Sequence, residues 1–210
     1  GLPRDEVFVT TKVDGEHQGG DRAVDGLRGS LDRLGLEYVD LLLIHWPLPA
    51  RDLYVDTWRT FERLRDAGLA RSIGVSNFKP AHLERLARET ETVPAVNQVQ
   101  LNPYVTREDH RRYHDEHGIV TVSYSPVGKG GALLSDPVIG QVAQAHGRTP
   151  AQVVLRWHLQ LGLVPIPKSS NERRLRENLD VYSFELTPAE MARVSALDKG
   201  DGVDSDVVGH

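Results

Sequence analysis

Apolar and polar positions along this chain switch repeatedly between two periods. Val7, Val9 and Thr11 alternate with Phe8, Thr10 and Lys12, the period of two that a strand requires. Ala23, Leu27, Leu31 and Leu34 then recur at helical spacing over 21–34, with Gly35 as the C-terminal stop. Val39 to His45 is a nearly unbroken apolar run, as expected of a strand covered on both faces. Trp58, Phe61 and Leu64 mark a helix ending at Ala67-Gly68. Ile73 to Ser76 predicts a third strand, and Pro80 opens a helix carrying Leu83, Leu86 and Ala87. Val96 to Leu101 is the fourth strand, followed by a charged helix near 106–117.

The second half repeats the scheme. Ile119 to Tyr124 predicts strand five, followed by the segment Gly128-Lys129-Gly130-Gly131. Thr149-Pro150-Ala151-Gln152 is a capping box with Pro at the first helical position, opening a helix through Gln160. Leu163 to Ile166 is strand six. Ser169 and Glu172 have capping-box spacing and introduce a helix to about Leu179, while Thr187 and Glu190 cap a last helix ending near Leu197. Gly200 to His210 has little apolar content and reads as a loop that, with 14–20 and 47–52, sets specificity.

Six strands with intervening helices and no long linker predict one α/β domain over residues 1–210. The alternation fits a (β/α)8 TIM barrel, which has eight strands and typically ~250 residues. About six of the eight βα units are therefore expected here, with the first two missing. Gly1 to Glu6 accordingly reads as a helix exit and loop joining a domain already under way. A doubly wound sheet is the rival architecture, but the G-x-G-x-x-G turn it normally carries after its first strand is absent.

Composition narrows the function classes. A net charge of −5 with 26% charged residues and no concentrated basic tract gives no expectation of a nucleic-acid partner. Zero Cys excludes disulfides, thiolate metal sites and Cys nucleophiles, and suits a reducing cytoplasm. No apolar stretch approaches the ~20 residues of a membrane span, and no signal-peptide pattern is present. The reading is a cytoplasmic protein with neither membrane nor metal.

Polar residues follow the apolar strands in order, at the end where a parallel α/β barrel gathers functional groups. Lys12, taken alone, is a solvated edge residue or a Schiff-base amine. His45 either orients a carbonyl or bonds a backbone carbonyl in the core. Asn77 and Gln98 each offer a donor and an acceptor on one amide, which suits a ligand carboxamide such as that of nicotinamide. Tyr124 can stack a flat ring. Lys168 and Ser169 precede helix N–H groups, and Arg174, Glu177 and Asn178 fall on one helical face. That set fits a phosphate monoester beside an adenine edge; the plainer alternative is a solvated helix with Arg174 paired to Glu177. The Gly-rich loop allows close approach to a pyrophosphate.

These residues together resemble the aldo-keto reductase superfamily. The matching stretches are VFVTTK, RLGLEYVDLLLIHWP, IGVSNF, PAVNQVQLNPY, SYSPVGKGG, TPAQVVLRWHLQLG and IPKSSNERRLREN, which span nearly the whole chain in the family's order. The chain is most similar to the bacterial 2,5-diketo-D-gluconate reductase-like members. The resemblance implies a barrel, monomeric at full length, that binds NADPH/NADP without a Rossmann fold and reduces aldehydes, ketones or keto-sugar acids to alcohols. It makes Lys12 and His45 catalytic and Trp46 a substrate-lining residue. Ser76, Asn77 and Gln98 become carboxamide binders, and Tyr124 the ring stacked on nicotinamide. Ser125, Val127, Gly128 and Lys129 form the pyrophosphate loop, and Lys168, Ser169 and Arg174 the 2′-phosphate site. Glu177 and Asn178 contact adenine. In one respect the chain departs from the pattern: the family's Tyr general acid and its Asp have no counterpart. None of Tyr38, Tyr54, Tyr104, Tyr113, Tyr124 or Tyr182 sits at the matching position. The chain alone is therefore expected to be inactive, and the alternative is a nucleotide-binding module without turnover, a pseudoenzyme or regulatory subunit.

Overall fold

A computed structural model of the chain describes residues 1–200 and 202–209. Asp201 and His210, part of the expected terminal loop, lie outside the described residues. The strands are β1 (Thr10–Val13), β2 (Val39–Ile44), β3 (Ala70–Ser76), β4 (Val96–Gln100), β5 (Val120–Tyr124) and β6 (Val164–Pro165). The helices are α1 (Gly20–Leu34), α2 (Tyr54–Asp66), α3 (Pro80–Glu89), α4 (Glu108–His117), α5 (Pro137–His146), α6 (Pro150–Gln160), α7 (Glu172–Leu179) and α8 (Pro188–Ser195). The six strands form a sheet in the order β1-β2-β3-β4-β5-β6, and the pairs β1–β2, β2–β3 and β5–β6 are parallel. A sequential order has no switch point, which removes the doubly wound alternative.

The chain divides into two compact units, residues Gly1–Asn97, Arg112–Ile119 and Asp204–His210 in the first and Gln98–Arg111 with Val120–Val203 in the second. In the first, all six residues of β2 are buried, as its apolar run requires. Val13, Leu42, Ile44, Ile73 and Val75 pack with Leu27, Trp58, Phe61 and Leu83 from the helices. Lys12, Leu43 and Gly74 alternate to the opposite face of the sheet. Gly74 is required there, because a Cβ would come within 2.7 Å of the Val96 carbonyl oxygen. In the second unit, Val153, Val154 and Trp157 of α6 pack with Ile139 and Val142 of α5 and with Val99 and Leu101.

Several boundaries differ from the periodic reading. The strand expected from Val7 begins at Thr10, since the Val9 N–H is taken by the Asp40 carboxylate at 2.8 Å rather than by a ladder carbonyl. The sixth strand shrinks to two residues, although the Ile166 N–H beyond it still donates to Ser123 O at 3.1 Å. The predicted Ser169–Glu172 capping box does not form. Asn171 is the N-cap of α7, its Oδ1 accepting from Arg174 N–H at 3.1 Å, while Ser169 Oγ accepts from Asn171 N–H. The periodic reading missed α5, although Asp136 caps it and Gly147 closes it at φ 60°. The boxes at Thr149 and Thr187 form as read, and Gly35 ends α1 at φ 65°.

Candidate functional site

In the first unit, the parallel register sets Val13, Ile44 and Val75 level with one another. Lys12 lies one residue before that level, and His45 and Ser76 one after. All three have the parity of the sheet face opposite the helix-packed cluster. Half-burial lowers the pKa of Lys12 below that of an ordinary lysine, since desolvation disfavours the ammonium form. The main chain of His45 joins both neighbouring strands: its N–H donates to Val13 O at 2.9 Å, and its carbonyl accepts from Asn77 Nδ2 at 3.1 Å. The same Nδ2 lies 3.1 Å from Ser76 Oγ. His45, Ser76 and Asn77 are thus joined directly by hydrogen bonds. Asn77 sits at φ 63°, a left-handed conformation that asparagine tolerates better than most residues but glycine. Trp46 is buried, its ring 5.9 Å from that of His45, and its carbonyl accepts from Gln18 Nε2.

In the second unit, Gln98 is buried in β4 and Tyr124 ends β5 half-buried, its phenol pKa raised by burial against the opposing charge of Arg107. Beyond Tyr124 the backbone turns through positive φ at Ser125 (50°), Gly128 (61°), Lys129 (56°) and Gly130 (73°). This turn forms one wall of a cavity of about 680 Å³. Ser125, Val127 and Lys129 line it, facing Lys168, Ser169, Arg174, Glu177 and Asn178. Gly128 shapes the turn without lining the cavity, and Gln98 and Tyr124 also lie outside the lining. Two segments about forty residues apart in sequence therefore meet at one cavity.

Sequence reasoning missed part of this lining. Thr149, Pro150 and Ala151 bring the first turn of α6 to the cavity. The capping box was legible, but nothing local said which way that helix end faces. Arg173 also lines it and pairs with Glu177 at 2.9 Å, so the Arg174–Glu177 pair of the plainer alternative is replaced by an i,i+4 pair one residue earlier. Lys129, Lys168, Arg173 and Arg174 outnumber the one lining carboxylate, Glu177. A cavity of this charge suits a ligand bearing more than one phosphate. Among the described residues, no cluster of three His, Asp or Glu side chains could hold a metal, and no helix is long and apolar enough to cross a membrane.

Residues 2–199 match the model of the Aldo/keto reductase family. A 2,5-diketo-D-gluconic acid reductase B of Corynebacterium sp. is 50% identical over 205 residues, covering 98% of this chain and 74% of that protein. An aldo-keto reductase of Mycolicibacterium smegmatis is 48% identical over 200 residues, 95% of this chain and 72% of that one. Among solved structures, a Gox0644 variant in complex with NADPH aligns with a TM-score of 0.94 at 45% identity, covering 99% of this chain and 77% of its own. An aldo-keto reductase of Bombyx mori in complex with NADP aligns with a TM-score of 0.87 at 36% identity, covering 95% of this chain and 70% of that one.

Proposed function

The chain belongs to the aldo/keto reductase family, and on that premise we propose that residues 1–210 belong to a single oxidoreductase domain of the (β/α)8 type whose reaction is the NADPH-dependent reduction of aldehydes or ketones. The cationic cavity of the second unit carries this reading. Lys168 and Arg174 take the 2′-phosphate with the Ser169 hydroxyl, and Glu177 and Asn178 meet the adenine edge. Ser125, Val127, Gly128 and Lys129 wrap the pyrophosphate, and the Lys129 side chain lining the cavity supplies positive charge there. NADPH, when bound, supplies the hydride from nicotinamide C4.

The remaining residues position and polarise. Ser76, Asn77 and Gln98 hold the carboxamide, and Tyr124 stacks on the nicotinamide ring. His45 orients the substrate carbonyl, and the Lys12 ammonium favours negative charge developing nearby. Trp46 borders the substrate. Keto-sugar acids of the 2,5-diketo-D-gluconate kind are the proposed substrate class, supported by the name of the Corynebacterium relative.

Reduction also needs a proton for the carbonyl oxygen, and none of the six tyrosines of these 210 residues stands where the family resemblance places the donor. The 210 residues alone therefore bind NADPH without turnover.

Calorimetric titration with NADPH and NADH, paired with an NADPH-oxidation assay on a small aldehyde, tests both statements. Arg174→Ala weakens NADPH by about 10- to 100-fold, the worth of a charge-assisted bond to phosphate, and leaves NADH nearly unchanged. Equal losses for the two cofactors refute the 2′-phosphate assignment, and turnover by the unmodified chain refutes the claim about the proton donor.

A further inference from the structure

A left-handed Asn77 does not hold itself in place, and the residue after it shows what does. Phe78 is fully buried, and both of its main-chain groups are engaged by one side chain. Asn97 Nδ2 donates to the Phe78 carbonyl at 2.8 Å, and Asn97 Oδ1 accepts from the Phe78 N–H at a longer 3.4 Å. Asn97 is itself fully buried in β4, and its Nδ2 also lies 2.9 Å from Nε2 of His114, fully buried on α4.

We infer that Asn97 and His114 act as a positioning pair, clamping the turn that presents Ser76 and Asn77 so that a nicotinamide carboxamide meets preset partners. This rests on the cofactor reading above. An amide group turns as a unit, so the Phe78 carbonyl and N–H together dictate which way Asn97 faces. The second hydrogen on Nδ2 then points to His114. Nε2 of His114 must accept it, which puts the ring proton on Nδ1. Both partners are out of water, so a lost bond is not replaced by solvent. The pair touches no ligand. Its effect passes through two hydrogen bonds to Phe78 into the turn that carries the left-handed Asn77. A clamp of this kind removes conformational freedom before the ligand arrives, which tightens binding without adding a contact.

The test titrates the full chain, Asn97→Ala and the near-isosteric Asn97→Asp with NADPH and with 2′,5′-ADP, which carries adenine and the 2′-phosphate but no nicotinamide. Each variant is expected to bind NADPH about tenfold more weakly, the effect of one to two buried hydrogen bonds, while 2′,5′-ADP stays within about twofold. Equal weakening of both ligands, or unchanged NADPH binding, overturns the proposal. If Asn97→Ala fails to fold, Asn97→Asp carries the comparison. ¹⁵N NMR of the His114 ring supplies a readout independent of any ligand. Nε2 should be unprotonated in the unmodified chain and protonated opposite the carboxylate of Asn97→Asp, and the Phe78 amide should exchange faster in both variants. A protonated Nε2 in the unmodified chain, or unaltered exchange in the variants, overturns the clamp. Failure of the unmodified chain to take up either ligand sinks the cofactor reading instead and leaves the NMR result to decide the clamp.

Discussion

The buried His158 is predicted to make the second unit acid-labile. The ring is fully buried on α6, with Nδ1 2.8 Å from Val154 O and Nε2 3.2 Å from Leu101 O, the residue directly after β4. A neutral imidazole has one N–H and satisfies one of these carbonyls; a charged ring would satisfy both. Burial wins this competition. Desolvation takes the pKa down to about 4, the two carbonyls oppose it, and the charge of Arg111 adds to the lowering. An unfolded histidine titrates near 6.5. Between these values the unfolded chain binds a proton that the folded chain does not, so stability rises with pH through the window. The contribution is fully present above about pH 6.5 and is lost as the pH falls toward about 4, with a ceiling of about 3 kcal/mol.

Urea unfolding at about pH 7 and about pH 4.5 should therefore show a loss of about 2 kcal/mol that His158→Gln, which keeps a donor for Leu101 O, does not show. Asp40, Asp180, Glu190 and Asp198 have lowered carboxyl pKa values and also lose stability in acid. They do so in both proteins, so the difference isolates His158. Identical pH slopes for the two proteins would refute the reasoning.

Two further predictions concern other parts of the chain. Asp40 is nearly inaccessible and binds Arg4 at 2.8 Å, Arg71 at 3.2 Å and the Val9 N–H at 2.8 Å, with both guanidinium groups over the Tyr38 ring. Asp40→Ala should cost about 2 kcal/mol in urea unfolding, the worth of a charge-assisted hydrogen bond, since Arg71 is largely exposed and stays solvated, and a loss under about 1 kcal/mol would show that the cluster is structurally idle. Gly128→Ala puts a Cβ at φ 61° and 3.1 Å from Leu133 Cβ. It should cost about 1 kcal/mol of stability and weaken NADPH binding measurably; unchanged affinity would free this turn of any role at the pyrophosphate.

The sequence alone determined the alternation of strands and helices, the caps at Thr149 and Thr187, the Gly35 stop and the polar residue at each strand end. These are encoded by neighbours within a turn or a pleat, where period and capping chemistry act. Even locally the reading slipped where two polar groups competed, as when Asn171 rather than Ser169 capped α7, or where a side chain from far along the chain displaced a ladder bond, as Asp40 did at Val9. Only the tertiary structure decided that Ser125–Lys129 and Lys168–Asn178 enclose one cavity, and that the first turn of α6 and Arg173 join them. It alone buried His158 between two carbonyls and set His114 against Asn97. Enclosure and burial arise when segments distant in sequence close on one another, and no periodicity in a single stretch of chain records which partners it will meet.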